Sequence, residues 1–206
     1  MSVKVQIVFY SMYGHIYRLA QAEAEGVRQV PGAEAEIFQV AETLPQDVLA
    51  KMGAVDAKKA FAHVPVADSK RLAEADAVLI GTPTRYGSTV AQMQAFLDST
   101  GSHWGTGALI GKLGGGFTST ASQHGGQETT LLSLYTFFIH QGMVVAGVPY
   151  SNQELLTLTE ISGGTPYGAS TITGPKGERL PSENELTIAR AQGKHIAQLA
   201  KKLAAK

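Results

Sequence analysis

Hydrophobic positions along the chain change their period in a regular way. Val3 to Phe9 (VKVQIVF) is short, β-branched and aromatic, and it stops at the polar patch Ser11-Met12-Tyr13-Gly14-His15, which predicts a first buried strand. From Ile16 the spacing becomes helical: Ile16, Leu19, Ala20, Val27 and Val30 share a face, and Pro31-Gly32 ends the run. Ala35 to Val40 gives a second strand. Ala77 to Gly81 (AVLIG) gives a third, apolar throughout as a strand covered on both faces should be. A helix with Val90, Met93, Phe96 and Leu97 on one face follows. Leu113 to Thr118 reads as a fourth strand, weakened by Gly114-Gly115-Gly116. Gln127 to Gln141 reads as a helix, Met143 to Val148 as a fifth strand, and Ser182 to Lys202 as a closing helix that starts with the capping box Ser182-x-x-Glu185 behind Pro181. The alternation predicts an α/β fold, a doubly wound five-stranded parallel sheet with helices on both faces.

Two stretches exceed that minimal pattern. Residues 41–69 and 149–180 are long for connections, whose median is roughly 4–6 residues, and they are expected to carry function or an interface. The 206 residues are read as one domain over 1–206, long enough to bury roughly 70% of the unfolded surface around one core. With no Cys, the chain has no disulfide, Cys-based metal site or cysteine nucleophile. Seventeen basic and seventeen acidic residues leave no net charge, so neither nucleic acid nor an anionic membrane is expected as a partner. No run approaches the ~18 apolar residues of a membrane span, and the N-terminal stretch lacks a signal pattern, so the expected location is cytoplasmic. Glycine is in excess, 23 residues or about 11% against a usual ~7%, and clusters after the strands.

In an open parallel sheet, ligands bind beyond the carboxyl ends of the strands. Strands one, three and four each run into a loop of Ser, Thr and Gly, so three polar loops should converge at one rim. Ser11 to Ile16 opens a helix, whose unpaired N–H groups and partial positive charge suit an anion, with Gly14 allowing close approach. That loop carries no Lys or Arg, which suits a tightly held monophosphate; an ordinary strand-helix turn capped by Ser remains an equal reading of the loop alone. Thr82 to Tyr86 adds a rigid Pro, a cation in Arg85 and an aromatic in Tyr86 that suits the flank of a planar ring. Trp104, the only tryptophan, falls in a glycine-rich stretch read as a loop, where a partner contact and a ring contact are both open. His140, at the end of an apolar helix, reads either as a structural group or as a ligand contact. The fingerprint G-x-G-x-x-G is missing after the first strand, and Gly107 to Leu113 falls one residue short of a P-loop, with Leu in place of Ser/Thr. The six His are scattered without H-E-x-x-H, so no metal is expected, and no G-x-S-x-G marks a hydrolase.

These residues together resemble a known family. Ser11-Met12-Tyr13-Gly14-His15-Ile16, Gly81-Thr82-Pro83-Thr84-Arg85-Tyr86-Gly87, Ser119-Thr120-Ala121-Ser122-Gln123-His124-Gly125-Gly126-Gln127-Glu128 and Gly163-Gly164-Thr165-Pro166-Tyr167-Gly168-Ala169 are similar, in order and over nearly the whole chain, to the WrbA-type (type IV) NAD(P)H:quinone oxidoreductases. The resemblance implies a flavodoxin-like fold, non-covalent FMN and two-electron reduction of quinones to hydroquinones by NADH or NADPH. Carried over by motif, Ser11, Met12, Tyr13, Gly14, His15 and Ile16 hold the FMN phosphate. Thr84, Arg85 and Tyr86 line the ring, and Ser119, Thr120, Ala121, Ser122, Gln123 and His124 edge the ring and ribityl chain, although this last loop varies in composition and length across the family. His140 matches a flavin-contacting histidine from a neighbouring subunit, Trp104 an aromatic of the substrate pocket, and Tyr13 lies where nicotinamide is expected. Family members form tetramers with sites at subunit junctions. The implied mechanism is ping-pong: hydride passes from nicotinamide to the flavin, and quinone then uses the same face. No catalytic side chain is required for the transfer itself. The alternatives are a flavodoxin-type electron carrier, against which the neutral charge speaks, and a regulatory flavoprotein, for which a basic face would be needed.

Overall fold

Strands that are apolar on both sides need cover on both faces, and the chain supplies it. The computed structural model describes residues 2–205. The strands β1 (Val3–Phe9), β2 (Ala33–Gln39), β3 (Ala77–Pro83) and β4 (Leu113–Thr120) lie in the order β2-β1-β3-β4, all parallel. The helices are α1 (His15–Arg28), α2 (Gln46–Lys51), α3 (Val55–Lys59), α4 (Ala91–Asp98), α5 (Gly101–Thr106), α6 (Gln127–His140) and α7 (Glu183–Ala204). Alternate residues of β1 and β3 feed two cores. Val5, Ile7, Phe9 and Leu79 pack under α1 and α7 with Leu19, Ile188 and Ile196, while Val8, Val78 and Ile80 pack under α4 and α6 with Met93, Leu134 and Phe138. The strand order reverses between β1 and β3, which is the switch point where a doubly wound sheet opens its crevice. Among the described residues, no helix is long and apolar enough to cross a membrane.

The expected doubly wound parallel sheet is present, and its fifth position is a correction. Met143 to Val148 does not form one strand. Only β5 (Val144–Val145) pairs there, beside Leu113 and Gly114, and the far end of β4 is covered instead by β6 (Ser170–Ile172), beside Thr118 to Thr120. The chain leaves the edge because Gly147 passes directly against the carbonyl of Pro166 and Pro149 has no N–H to donate to a ladder. One edge position is thus filled by two pieces of chain, with most of the 149–180 segment looped out between them. The 41–69 segment holds α2 and α3 and returns to the sheet through a bridge between Gln39 and Val66.

Gly114 and Gly116 also turn out to serve β4. A Cβ at Gly114 would lie 2.7 Å from the Phe138 ring, and one at Gly116 3.0 Å from Leu134, so the bare backbone is the seat on which α6 rests. Trp104 is a second correction, since it stands on a helix, α5, and not in a loop. Buried His103 anchors that turn, its ring nitrogen 2.7 Å from the Ser69 carbonyl, and Gly107 ends it in the left-handed region at φ 67°. The indole itself is exposed.

The α1/α7 crossing is a backbone-to-backbone contact. A Cβ on Gly193 would run into the Glu23 carbonyl, and one on Gly26 into the Arg190 carbonyl. Gly193→Ala is therefore expected to lower the unfolding free energy by about 1–3 kcal/mol, as overpacking does. Gly105→Ala, on α5 with nothing near its added carbon, should change it by less than about 0.5 kcal/mol. Urea unfolding of the two variants checks the difference.

Candidate functional site

The chain has five residues, Tyr10 to Gly14, in which to leave β1 and enter α1. Gly14 makes the turn with φ 90°, a left-handed conformation that only glycine adopts without strain. The first helical hydrogen bond of α1 runs from the Arg18 N–H to the Gly14 carbonyl at 3.1 Å. The N–H groups of His15, Ile16 and Tyr17 therefore have no acceptor within the helix. The Gly14 N–H donates to the Ser11 Oγ at 3.0 Å, which fixes the hydroxyl while leaving its proton free to donate.

These groups open on a cavity of about 330 Å³ at the carboxyl edge of the sheet, large enough for a ligand of cofactor size. Ser11, Met12, Tyr13, His15 and Ile16 line it from the first loop, Thr84 and Arg85 from the second, and Ser119, Thr120 and Ala121 from the third. The expected convergence of three loops is thus a feature of the structure. The loops are knitted together: the Thr84 N–H donates to the Ser119 carbonyl at 2.9 Å, the Thr118 hydroxyl to the Thr82 carbonyl at 2.7 Å, and the Thr130 hydroxyl to the Thr84 Oγ1 at 2.8 Å. Gly14 makes the turn but does not itself line the cavity; the free helix N–H groups and the hydroxyls form a donor set that fits the phosphate and ribityl chain of FMN.

Other expected residues stand elsewhere. Tyr86 follows Arg85 but points fully into solvent, and at φ 53° it is the only non-glycine residue described with a left-handed backbone. Ser122, Gln123 and His124 are exposed beyond the rim and do not line the cavity. His140 lines a different cleft, of about 390 Å³, between α4–α5 and α6, with Asp98, Thr100, Phe137 and Gln141. Trp104 lines neither. Within one chain, then, neither His140 nor Trp104 reaches the cavity.

Two parts of the site were missing from the sequence-based expectation. The first is a strap, Thr173 to Gly177, that closes one wall of the cavity. The Thr173 N–H donates to the Thr120 carbonyl at 2.8 Å, prolonging the β6–β4 ladder, and the His15 ring donates through Nε2 to the Gly177 carbonyl at 3.1 Å. Burial pushes the His15 pKa below the usual histidine value, so this ring is neutral at pH 7. The strap hangs on the fully buried Glu185, which does more than cap α7. Its carboxylate accepts from Arg179 at 2.9 Å, from the Thr171 hydroxyl at 2.8 Å and from the Gly163 N–H at 2.7 Å. The Gly163 to Ala169 motif accordingly serves the β6 edge, with the Ala169 N–H donating to Gln192 at 2.7 Å. A β-branched Thr171-Ile172-Thr173 run before Gly174-Pro175-Lys176-Gly177 is the strand-then-turn signal that could have found the strap.

The second missing part lies under the first loop. The Lys58 Nζ, from α3, donates to the Ser11 carbonyl at 3.2 Å and pairs with Glu42 at 2.8 Å, and Glu42 also accepts from the Tyr10 hydroxyl at 2.8 Å and the Leu44 N–H at 3.0 Å. The 41–69 segment thus braces the loop from behind. Burial alone would raise the Glu42 pKa, but the hydrogen bonds from Lys58, Leu44 and Tyr10 and the lysine's charge outweigh it and bring the pKa down to about 2. Burial and the neighbouring carboxylate raise the Tyr10 hydroxyl.

A carboxyl whose pKa is depressed by folding stabilises the folded state above its unfolded value and loses that contribution as pH falls through the folded one. Glu42→Gln should therefore cost about 1–3 kcal/mol at pH 7. The deficit relative to the parent should shrink as pH drops from about 4.5 to about 2. Urea unfolding across that range measures it, and a pH-independent deficit would contradict the ionised brace.

Comparison with known proteins agrees with this geometry. Residues 11–154 match the family model of the NADPH-dependent FMN reductases. A protein from Geobacter metallireducens described as NAD(P)H dehydrogenase (quinone) is 62% identical over 98% of this chain and 99% of its own length. Another of the same description, from Methanosarcina acetivorans, is 54% identical over 99% of this chain and 100% of its own. Among solved structures, a flavodoxin, WrbA-like protein from Agrobacterium tumefaciens superposes with TM-score 0.62 at 25% identity, covering 98% of this chain and 99% of that one. Flavodoxin 1 from Bacillus cereus, at TM-score 0.55 and 14% identity, shares the fold.

Proposed function

The chain belongs to the NADPH-dependent FMN reductase family and is an FMN-dependent NAD(P)H dehydrogenase (quinone), and from that premise we propose how its residues divide the work. Bound FMN would supply two-electron chemistry between nicotinamide and a quinone, which we read as two separate, ping-pong half-reactions. The protein's own task is to bind, orient and shield.

In this reading the observation that carries most weight is the meeting of three strand-end loops and the free N–H groups of α1 around one cavity. The main-chain N–H groups of His15 and Ile16 and the Ser11 hydroxyl hold the phosphate, with Met12 and Gly14 shaping the turn. Thr84 and Arg85 lie along the ring, and Ser119, Thr120 and Ala121 along the ring edge and ribityl chain. The Arg85 guanidinium is kept close to the loop by its bond to the Thr84 carbonyl at 2.8 Å, where it can stabilise negative charge on the reduced ring. Tyr13, half-exposed at the mouth with its hydroxyl donating to the Met52 carbonyl at 3.1 Å, borders the place of nicotinamide or quinone.

We assign Tyr86, Ser122, Gln123, His124, Trp104 and His140 to the same site in an assembled homotetramer, with Trp104 and His140 coming from an adjoining subunit. Their exposure in the single chain, and the separate cleft that holds His140, support a site completed across a junction. Each subunit then supplies most of the flavin's contacts, and the assembly adds His140 and the substrate walls.

Anaerobic mixing of the FMN-loaded protein with NADH or NADPH should bleach the flavin, and a quinone added afterwards should restore its colour, with parallel lines in a double-reciprocal plot of steady-state rates. Intersecting lines would contradict the two half-reactions. Light scattering at micromolar concentration should give a mass near four times 21.7 kDa. His140→Ala should weaken FMN binding and quinone turnover; unchanged values, or a lone 21.7 kDa species, would remove the cross-subunit assignment.

A further inference from the structure

The first loop contains no Lys or Arg, yet an FMN phosphate would bring close to two negative charges to it. The basic groups nearby are mostly committed. Lys58 lies behind the loop and is neutralised by Glu42, Arg179 is bound by Glu185, and burial keeps His15 uncharged. Arg85 belongs to the second loop, and Arg18, one turn into α1, does not line the cavity. The strap alone brings a lysine to the wall: Lys176.

Its position in the cavity is well defined. Gly177, the next residue, accepts a hydrogen bond from His15, the first residue of α1, so the strap meets the cavity at the helix start where phosphate is expected. The strap is held at its other end by the Arg179 N–H donating to the Thr173 carbonyl at 2.8 Å. Lys176 forms no ion pair among the described residues. The carboxylate of Glu178 accepts the Lys176 main-chain N–H at 2.8 Å and sits against Gly174, which stiffens the turn. The lysine is exposed at the cavity wall.

We propose that Lys176 is a phosphate-binding residue, supplying from 160 residues further along the chain the countercharge that the Ser11 to Ile16 loop lacks. The inference rests on the FMN reading above. Its consequence is selective: Lys176 favours flavin mononucleotide over riboflavin, which has the same ring and ribityl chain and no phosphate.

Apoprotein is titrated with FMN and, separately, with riboflavin, following quenching of flavin fluorescence at low and high KCl. The parent protein should bind FMN more weakly as salt rises, because the charge pair is screened, while riboflavin binding stays level. Lys176→Gln should weaken FMN about three- to fivefold at low salt, the scale of one exposed ion pair, flatten its salt dependence and leave riboflavin unchanged. Lys176→Arg should restore FMN affinity. An FMN Kd unaltered in Lys176→Gln, or an equal loss for both flavins, overturns the assignment while the FMN reading stands. Failure of the parent to bind either flavin overturns both.

Discussion

The structure turns on a few backbone donors that have nowhere else to go. Because the chain passes from β1 to α1 through a left-handed Gly14, the first N–H groups of the helix face the carboxyl edge of the sheet without acceptors. An anion there satisfies several donors at once and meets the positive end of the helix dipole. Everything around this point aims or completes it. The Ser11 hydroxyl is locked by the Gly14 N–H, Lys58 and Glu42 brace the loop from below, and the strap from 173 to 177 closes over it through His15.

The two long insertions acquire a common meaning in this light. One reaches the loop from behind through α3, and the other returns as β6 and the strap. Both are tied by buried or half-buried carboxylates, Glu42 and Glu185, each accepting several hydrogen bonds. A carboxylate that gathers that many donors makes its surroundings rigid. The cavity is therefore prearranged on both sides of the start of α1, whereas the second and third loops carry outer residues that are exposed.

Much of this was legible in the sequence because period and punctuation carry it. The apolar run of β3 announced a sheet covered on both faces, and the hydroxyl-glycine loops behind three strands announced the rim. What escaped were features set by contacts distant in sequence. Val144–Val145 and Ser170–Ile172 are too short to register as strands, and their sharing of one edge position follows from where Gly147 crosses Pro166. Gly114 to Gly116 weakened a strand that they in fact fit to α6. Lys58 and Lys176 look like any surface lysine until the fold brings one against the Ser11 carbonyl and the other to the cavity wall, and Trp104 belongs to a helix too short, at six residues, for periodicity to show.

The central claim is that the phosphate end of FMN is anchored on the start of α1. A crystal structure of the protein soaked with FMN tests it most directly. The phosphate should lie within hydrogen-bond distance of the Ser11 hydroxyl and the His15 and Ile16 N–H groups, with the ring between the Thr84–Arg85 and Ser119–Ala121 loops. Flavin density in the His140 cleft between α4 and α6, or a phosphate away from those N–H groups, would contradict the account.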